Sequence, residues 1–415
     1  MSLFKNHLKQ SLFQEKPWYQ SKKDAPLSKL LGFTAELVSR FPTALQHRFM
    51  KWIDDLGLFF LRVGKIIQSS KQPYFLIQGK PTDQEKISLL FQGDLASFQF
   101  FLKRLFPHQD TVTITPLDKK RHDKKSIMEL KDDVDMIIFE RDYFFSRYYQ
   151  RKGHLVIPET ISFILPLNQP IDDIISSCSS RIQKDLQKAS SIGYHYKIAN
   201  DLSSFSDFYH TMYLPYATWK HKDLQKHISF EFIRHYVLRG SNLLLVHQKD
   251  DEIFGGIYEF EKNHIITQYS GVKKGKFDHI RNGIITISYY FLISLGKKHQ
   301  MAYIDFGASP PFLTDGLNRY KRGWNMNITP SKPVFSTIFS IKINKISDSL
   351  SYFFKENPVF FFKNNHLSLA YQVEMNQDSN QLKQDIIKQN NLNGIEPTIY
   401  YSLEEFITIN CSEPL

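Results

Sequence analysis

The sequence predicts an α/β protein in which mixed sheets are flanked by helices. Short apolar runs, typical of buried strands, alternate with longer segments whose apolar residues recur every three or four positions, as in amphipathic helices. The 415 residues, 42% of them hydrophobic, are enough for more than one core. We expect an N-terminal helical arm at 1–70, an α/β unit at 71–170, a second α/β unit at 171–335 and a C-terminal extension at 336–415.

The N-terminal half supplies the pattern of a small covered sheet. Residues 28–66 have amphipathic helical spacing, which suits packing on the same domain or, alternatively, contact with a membrane surface. The charged run 117–133 is expected to be a solvated loop. The predicted strands and helix of the first unit are Tyr74–Gln78, Ile87–Gln92, Thr111–Thr115, Val134–Glu140 and Ile161–Leu165, with a helix at Ala96–Leu105.

The second half alternates helices and strands more regularly. The predicted helices are Ser180–Ile192, Leu202–Tyr213, Phe230–Leu238 and 280–298, and the predicted strands are Tyr194–Ile198, Asn242–Gln248, Ile253–Glu259 and His264–Tyr269. The last two strands are expected to pair antiparallel across a short turn. Further on, Val359–Phe362 and Leu367–Val373 predict a hairpin, and the polar segment 376–394 predicts a surface helix or a loose connector.

Charge and cysteine content limit the function classes. The net charge of +11 favours anionic partners, although the lysines are scattered and the excess also suits a general use of lysine. Two cysteines cannot form a disulfide framework, which suits a reducing compartment. No run reaches the roughly 18 apolar residues that span a bilayer, and no secretory signal is evident. We expect a cytoplasmic protein, and alternatively one peripheral to the inner membrane face.

No metal centre is predicted. The histidines are mostly isolated, and no group of His, Cys, Asp or Glu has the spacing of a metal site. We expect no tightly bound cofactor.

A basic loop before the helix at 280–298 is the best anion-binding candidate in the chain. It contains Lys273, Lys274 and Lys276, and Arg281 and Asn282 follow in the first turns. The free amides and the macrodipole at a helix N-terminus favour an anion there. Asp278 or His279 is expected to cap this helix. A solvated basic turn is the plain alternative.

A carboxylate, Asp305, lies where the apolar strand around Tyr303 ends. A carboxylate in that position is either a catalytic or substrate-orienting group or a structural acceptor of loop amides. Gly307 next to it allows a close backbone approach. The short helix that follows carries Arg319, Tyr320 and Lys321. Arg319 and Lys321 could anchor an anion there or pair with Asp305.

These elements resemble the GNAT acyltransferase superfamily, and most closely its Fem-type branch of peptidoglycan-bridge aminoacyltransferases and related envelope acyltransferases. The resemblance covers about residues 175–330. It is carried by the basic helix Ser180–Ala189 with Gly193, by the helix from Arg281-Asn282-Gly283 to Gly296, and by Tyr303-Ile304-Asp305-Phe306-Gly307 followed by Gly316, Tyr320-Lys321 and Gly323-Trp324. It implies a GNAT-like mixed sheet, with two tandem GNAT-like units.

The resemblance also implies a reaction, the direct attack of an acceptor amine or hydroxyl on a thioester or ester carbonyl. The splayed strand at Gln268, Ser270 and Gly271 would bind the donor and the carbonyl oxyanion. Asp305 would orient or deprotonate the acceptor, and Tyr269 or Tyr303 would serve the leaving group. Lys321 would hold an anion of the donor or the acceptor.

The donor stays open at this stage. The Gly-x-Gly or Gly-x-Ala pyrophosphate loop usual in GNAT proteins is missing, and Gly271, Gly275 and lysines stand in its place. This absence weakens the case for ordinary acetyl-CoA binding and suits an aminoacyl-tRNA or a carrier-linked acyl group as donor. An acyl-CoA also stays among the expected donors, and no DNA partner is expected. Two alternatives are an RNA-binding protein without catalysis and a GNAT-like scaffold that binds a membrane surface or a partner.

Overall fold

The computed structural model describes Ile66 and residues 72–81, 85–107, 112–117, 124–220, 228–331, 337–373 and 379–411. The helical segment predicted at 28–66 therefore lies outside the described residues, apart from Ile66. The described residues form two compact units, one within 165–307 and the other comprising Ile66 and the described parts of 72–164 and 308–411. We call the described part of the first, 165–307, unit 1 and that of the second unit 2.

Strands and helices alternate along the chain. The strands are β1 Tyr74–Gly79, β2 Ile87–Gln92, β3 Thr113–Leu117, β4 Met136–Asp142, β5 Leu155–Pro158, β6 Ile161–Pro166, β7 Tyr194–Ala199, β8 Asn242–Gln248, β9 Asp251–Glu261, β10 His264–Val272, β11 Tyr303–Ser309, β12 Asn327–Pro330, β13 Thr337–Ile343, β14 Val359–Lys363, β15 His366–Gln372 and β16 Glu396–Tyr400. The helices are α1 Leu95–Leu105, α2 Lys124–Asp133, α3 Ser146–Arg151, α4 Ile171–Ser177, α5 Ser180–Ser191, α6 Leu202–Phe208, α7 Leu214–Lys220, α8 Phe230–Leu238, α9 Phe277–Arg281, α10 Ile284–Lys298, α11 Gly316–Gly323, α12 Asp348–Glu356, α13 Ser379–Asn390 and α14 Leu403–Cys411.

Unit 1 is built on five strands in the spatial order β11-β10-β9-β8-β7. The three pairs from β7 to β10 are antiparallel, whereas β10 and β11 are parallel. A parallel pair needs a crossover, and α9 and α10 provide it. An antiparallel ladder that ends in a parallel pair is a mixed sheet, so the predicted α/β fold with a mixed sheet flanked by helices is confirmed.

Unit 2 contains a six-stranded sheet in the order β3-β1-β2-β4-β13-β5 and a three-stranded sheet in the order β14-β15-β16. Here too an antiparallel pair, β1 with β2, is followed by a parallel pair, β2 with β4. The two units thus share the same local strand pattern.

The chain enters unit 2 twice because β13 pairs with both β4 and β5. Unit 2 is therefore built from two separate stretches of the chain. The domains expected from the sequence, 71–170, 171–335 and 336–415, are each one continuous stretch. Strands β5 and β13 were not predicted from the sequence. Each is a short apolar run, and such a run carries little periodic signal.

Stacked phenylalanines fill the core of unit 2. Phe98 lies between Phe91 and Phe101, with ring centroids 4.2 and 5.1 Å apart, and it also contacts Phe339 of β13 at 5.4 Å. All four side chains are fully buried. Offset aromatic pairs add to the free energy of area burial, so this core explains part of the phenylalanine-rich composition.

Two local predictions need correction or completion. The charged run 117–133 was expected to be a loop, but Lys124–Asp133 is helical. The prediction was wrong because Leu130 packs against the buried cluster that contains Val134 and Ile137, and this contact outweighs the charged composition. In the polar segment at 376–394, α13 is a helix. The hairpin of β14 and β15 is confirmed, with Asn364 and Asn365 at positive φ.

Gly271 marks the tightest backbone approach in unit 1. A Cβ atom there would lie 2.5 Å from the carbonyl carbon of Met212 and 2.6 Å from the Cα of Tyr213. Both residues belong to a single π-helical turn, Tyr209–Tyr213. Because the opposing atoms are backbone, they cannot move aside as a flexible side chain would, and β10 can lie against this turn only with glycine.

Gly271→Ala should therefore lower the free energy of unfolding by about 1–3 kcal/mol, the usual cost of overpacking. Gly316→Ala is the matched control, because nothing lies within 4 Å of its Cβ position, and it should cost nothing. Urea unfolding of both variants measures the difference. Equal stability of the two variants would show that the turn yields to a methyl group.

Candidate active site

The parallel pairing of β10 with β11 is short. It joins only His264 to Ile266 with Tyr303 to Asp305. One further link follows, in which the Thr267 hydroxyl donates to the Asp305 carbonyl at 3.2 Å. Beyond it the described ladder between the two strands ends, although β10 continues to Val272 and β11 to Ser309. Strands that separate in this way leave backbone groups without a ladder partner, and these can bind a ligand.

A β-bulge interrupts β10 at the same level. Thr267 pairs with Tyr258 of β9 and Ser270 pairs with Gly256. Gln268 and Tyr269 therefore face a single residue of β9, Ile257. A bulge frees a backbone group from the ladder and turns the side chains beside it. The irregular pairing falls within the segment from Gln268 to Gly271, for which the resemblance implied a splayed strand.

Asp305 lies at the point where the strands separate. Its side chain is buried, with 8% of the residue exposed. One carboxylate oxygen, Oδ1, accepts a hydrogen bond from the Gly307 N–H at 2.9 Å. Gly307 has φ of +74°, which a glycine adopts without strain. This turn holds the carboxylate in one orientation, in keeping with either of the two roles predicted for it.

Tyr269 extends from the bulge into a group of aromatic rings. Its ring centroid lies 5.7 Å from that of Tyr213, 5.9 Å from Tyr236 and 6.3 Å from Phe232. Burial raises the pKa of Tyr269, and a hydrogen bond with Tyr236 acts in the opposite direction. Tyr236 also donates to the Gln268 side-chain oxygen at 3.3 Å. Tyr269 is therefore a protonated phenol at neutral pH.

Tyr303 is placed by the strand ladder and is half-buried. It is the ladder partner of His264, and the two rings stack with centroids 4.5 Å apart. Because side chains alternate along a strand, Tyr303 and Asp305 share one face of β11. The stacking gives Tyr303 a structural role that the sequence did not predict.

The basic loop after β10 is only partly available to a ligand. Lys273 forms an ion pair with Asp251. Lys274 is exposed and has φ of +51°, and Lys276 is exposed as well. Arg281 is exposed, with its guanidinium 6.0 Å from the ring centroid of Phe277.

The helix that follows this loop is broken, contrary to the prediction. A short helix, α9, ends at Arg281, Asn282 follows it, and the long helix α10 starts only at Ile284. Its N-cap is Gly283 at φ of +80°, without a side-chain cap, so the expected cap by Asp278 or His279 was wrong. The break has a steric reason. A Cβ at Gly283 would lie 3.0 Å from the Asp185 carbonyl oxygen and 3.2 Å from the Ala189 Cβ of α5.

The basic face of α5 supports this junction. Lys188 donates to the Arg281 carbonyl at 2.8 Å, while Arg181 and Lys184 are exposed. The basic helix that contributed to the family resemblance thus fixes the end of α9 through at least one of its lysines. This contact between distant segments could not be inferred from sequence spacing.

Arg319, Tyr320 and Lys321 belong to unit 2, whereas Asp305 belongs to unit 1. Arg319 is exposed and Tyr320 is half-buried. Lys321 is only 2% exposed. Its ammonium donates to the Ala308 carbonyl at 2.9 Å and lies 5.3 Å from the ring centroid of Phe163. The predicted anion ligand is therefore already engaged with neutral partners.

The neighbouring Arg322 was not singled out from the sequence. It is buried and donates to the Asn318 side chain at 2.8 Å, to the Leu313 carbonyl at 2.7 Å and to the Asn390 carbonyl. Burial, together with the nearby Arg319, lowers the pKa of Arg322 to about 10. Arg322 thus joins α11 to the backbone at Leu313 and to the end of α13.

Comparisons with known proteins place the fold in context. No protein-family model matches the sequence, and no curated protein matches it significantly. Among solved structures, FemX is 12% identical with a TM-score of 0.35, over 66% of this chain and 90% of that chain. The C-terminal domain of a putative lysylphosphatidylglycerol synthetase from Agrobacterium fabrum is 8% identical with a TM-score of 0.33, over 67% and 83%.

A tandem GNAT protein from the clavulanic acid biosynthesis pathway is also similar, at 8% identity and a TM-score of 0.28, over 63% of this chain and 79% of that chain. These likenesses concern the fold alone, and at such TM-scores they add nothing to the roles of individual residues. Those roles follow from strand register and side-chain contacts. Within the described ranges, no three His, Cys, Asp or Glu side chains are grouped as metal ligands, and no helix has the length and apolar content to cross a bilayer.

The raised pKa of Tyr269 gives a pH prediction. The folded state favours the protonated phenol of Tyr269. Its contribution to the free energy of unfolding is therefore fully present below the ordinary phenol pKa of about 10, and it is lost as the pH rises through the higher pKa of the folded state. In protein labelled with ¹³C at tyrosine Cζ, the resonance that Tyr269→Phe removes should stay unshifted up to about pH 10 and move only above it. A midpoint below pH 10 would contradict the buried hydroxyl.

Proposed function

We propose that unit 1 catalyses the transfer of an acyl or aminoacyl group from a thioester or aminoacyl-tRNA donor to an amine or hydroxyl acceptor. The observation that carries the proposal is the separation of β10 from β11 directly after Asp305, at the level of the Gln268–Tyr269 bulge. The backbone amides of the bulge, the fixed carboxylate of Asp305 and the protonated phenol of Tyr269 lie on these two strands near the level where their pairing ends. This is the set of groups that acyl transfer without a covalent intermediate needs.

The reaction would run by direct attack. The acceptor nitrogen or oxygen forms a bond to the donor carbonyl carbon, and the carbonyl oxygen becomes an oxyanion. A backbone amide freed by the bulge beside Gln268 and Tyr269 would donate to that oxyanion. As the intermediate collapses, the bond from carbon to the donor sulfur or oxygen breaks. The acceptor loses one proton, and the leaving thiolate or alkoxide gains one.

Asp305 and Tyr269 would divide the proton transfers. Asp305, held by Gly307, would orient the acceptor and take its proton. Tyr269 would donate to the leaving group, because its raised pKa keeps it protonated. Tyr303 remains a second candidate for that donation, although its stacking on His264 restrains it.

The donor would lie along the loop after β10. Lys274 and Arg281 are exposed there, while Lys273 is engaged by Asp251. Asn282 follows at the end of α9, and Ser270 is exposed on β10. The anion-binding roles expected for Arg319, Tyr320 and Lys321 of unit 2 stay predictions, and the Lys321 ammonium donates to the Ala308 carbonyl.

One surface of unit 1 favours an aminoacyl-tRNA among the possible donors. Trp219 and Phe277 are 37% and 51% exposed, with ring centroids 5.8 Å apart. Arg281 lies over Phe277, and Lys220 lies 5.5 Å from the ring centroid of Tyr216. Exposed rings beside cations suit the stacking of unpaired bases and contact with phosphates. A CoA donor would leave most of this surface unused.

Asp305→Asn tests the catalytic assignment, because the amide keeps the shape of the carboxylate but cannot accept the acceptor proton. Turnover should fall by about 10²–10⁴-fold, the usual contribution of a general base, with little change in KM. The assay measures single-turnover transfer from acetyl-CoA, a long-chain acyl-CoA and aminoacyl-tRNA to amine and hydroxyl acceptors. Asp250→Asn, in an exposed turn, is the control and should keep full activity. Unchanged turnover in Asp305→Asn would refute the role.

The donor class is tested by binding of the same three donors at two salt concentrations. Trp219→Ala and Phe277→Ala should each weaken the affinity for aminoacyl-tRNA by roughly five- to 150-fold, the range for loss of one base stack. Phe260→Ala is the matched control, since Phe260 is also exposed, at 39%, in unit 1. Saturable binding of acyl-CoA that is insensitive to the two substitutions would instead identify a thioester donor.

A further inference from the structure

Unit 2 contains a cavity that the proposed reaction does not use. Its volume is about 460 Å³, within the range of small-molecule sites. It lies beside β5 and β13, the end of α3 and α14. The apolar part of its wall consists of Leu155, Ile341, Ile343, Phe406 and Ile407. A wall of this composition suits a hydrocarbon chain.

The rest of the wall is cationic. Arg151, Lys152, Lys342 and Gly153 complete the lining contributed by the described part of the chain, and none of these lining residues is a carboxylate. All three cations are exposed, and the ion pairs found among the described residues do not include them. Three like charges around one apolar volume repel each other, and an anion placed among them would relieve that repulsion.

The helix that leads to the cavity has an aromatic and basic surface. Phe144 and Tyr148 are 69% and 56% exposed, and Arg147 is exposed. Phe144 and Tyr148 are four residues apart, as are Arg147 and Arg151, so the rings and the cations follow adjacent lines on α3 and the turn before it. Exposed aromatic rings beside arginines are typical of surfaces that lie at the interface of a bilayer.

We propose that unit 2 binds an anionic phospholipid at a membrane surface. The headgroup phosphate lies between Arg151, Lys152 and Lys342, and an acyl chain enters the cavity along Ile343 and Ile407. Phe144 and Tyr148 insert at the level of the headgroups. The three cations favour an anionic lipid over a neutral one. The apolar wall favours a lipid over free phosphate, because free phosphate has no hydrocarbon chain to bury against it. This site is independent of the proposed transferase function, whose residues Asp305 and Tyr269 lie in unit 1.

Vesicle co-sedimentation of the full chain tests the proposal. The protein should sediment with vesicles that contain phosphatidylglycerol and stay in solution with pure phosphatidylcholine. The double variant Arg151→Glu/Lys152→Glu should bind the anionic vesicles at least about thirtyfold more weakly, since each basic residue near an anionic bilayer contributes roughly fivefold. Lys249→Glu/Lys262→Glu changes the net charge equally at exposed turns of unit 1 and should keep most of the affinity. Equal losses in both variants would overturn the proposal.

Calorimetry with dodecyl phosphate below its micelle concentration tests the cavity itself. Saturable binding is expected, without binding of inorganic phosphate or of the neutral detergent dodecyl maltoside. Ile343→Phe and Ile407→Phe, each checked for an unchanged Tm, should weaken this binding by filling the cavity. Absence of dodecyl phosphate binding, or binding that both substitutions leave intact, would overturn the lipid site. Competition by inorganic phosphate at equal affinity would reassign it to a free phosphate.

Discussion

The close approach of Gly271 to the π-helical turn at Tyr209–Tyr213 is the constraint on which the candidate site depends. It fixes the end of β10 against the backbone of that turn. With its end held there, β10 accommodates one extra residue as the Gln268–Tyr269 bulge and separates from β11 after Ile266. The same turn contributes Tyr213 to the rings around Tyr269. One contact that only glycine allows thus sets the backbone, the bulge and the environment of the phenol.

The cationic side chains of this protein occur in two distinct environments, one buried and one exposed. Lys321 and Arg322 are buried and donate to carbonyl oxygens or a side-chain amide oxygen, so they tie α11 to neighbouring segments of the backbone. Arg281 and Arg151 are exposed beside aromatic or apolar surface. A buried cation without a carboxylate is costly unless its donors are satisfied, which explains the dense hydrogen bonding of the first pair. Net charge alone could not distinguish these environments, because burial is set by tertiary contacts.

The sequence predicted much of the fold, and the site residues that it singled out stay predictions of function. The alternation of strands and helices in unit 1 was correct, and so was the pairing of β9 with β10. Local patterns carried these predictions. The helix break at Gly283 was missed because it is imposed by α5, about a hundred residues earlier in the chain. The engagement of Lys273 by Asp251 and the burial of Lys321 were missed for the same reason, since each depends on a contact at long sequence separation.

Each unit contains a parallel strand pair, but the residues that follow the paired segment differ between the two units. In unit 2, Glu140 of β4 follows the segment that pairs with β2. Its carboxylate accepts hydrogen bonds from the Asp94 N–H at 2.6 Å and the Ser97 hydroxyl at 3.0 Å. The adjacent pair of β1 and β2 runs in continuous register without a bulge. The Glu140 carboxylate therefore binds the start of α1. No bulge between β1 and β2 frees a backbone amide beside it. The bulge at Gln268 and Tyr269 distinguishes unit 1 from unit 2 and is the feature on which the chemistry proposed for unit 1 depends.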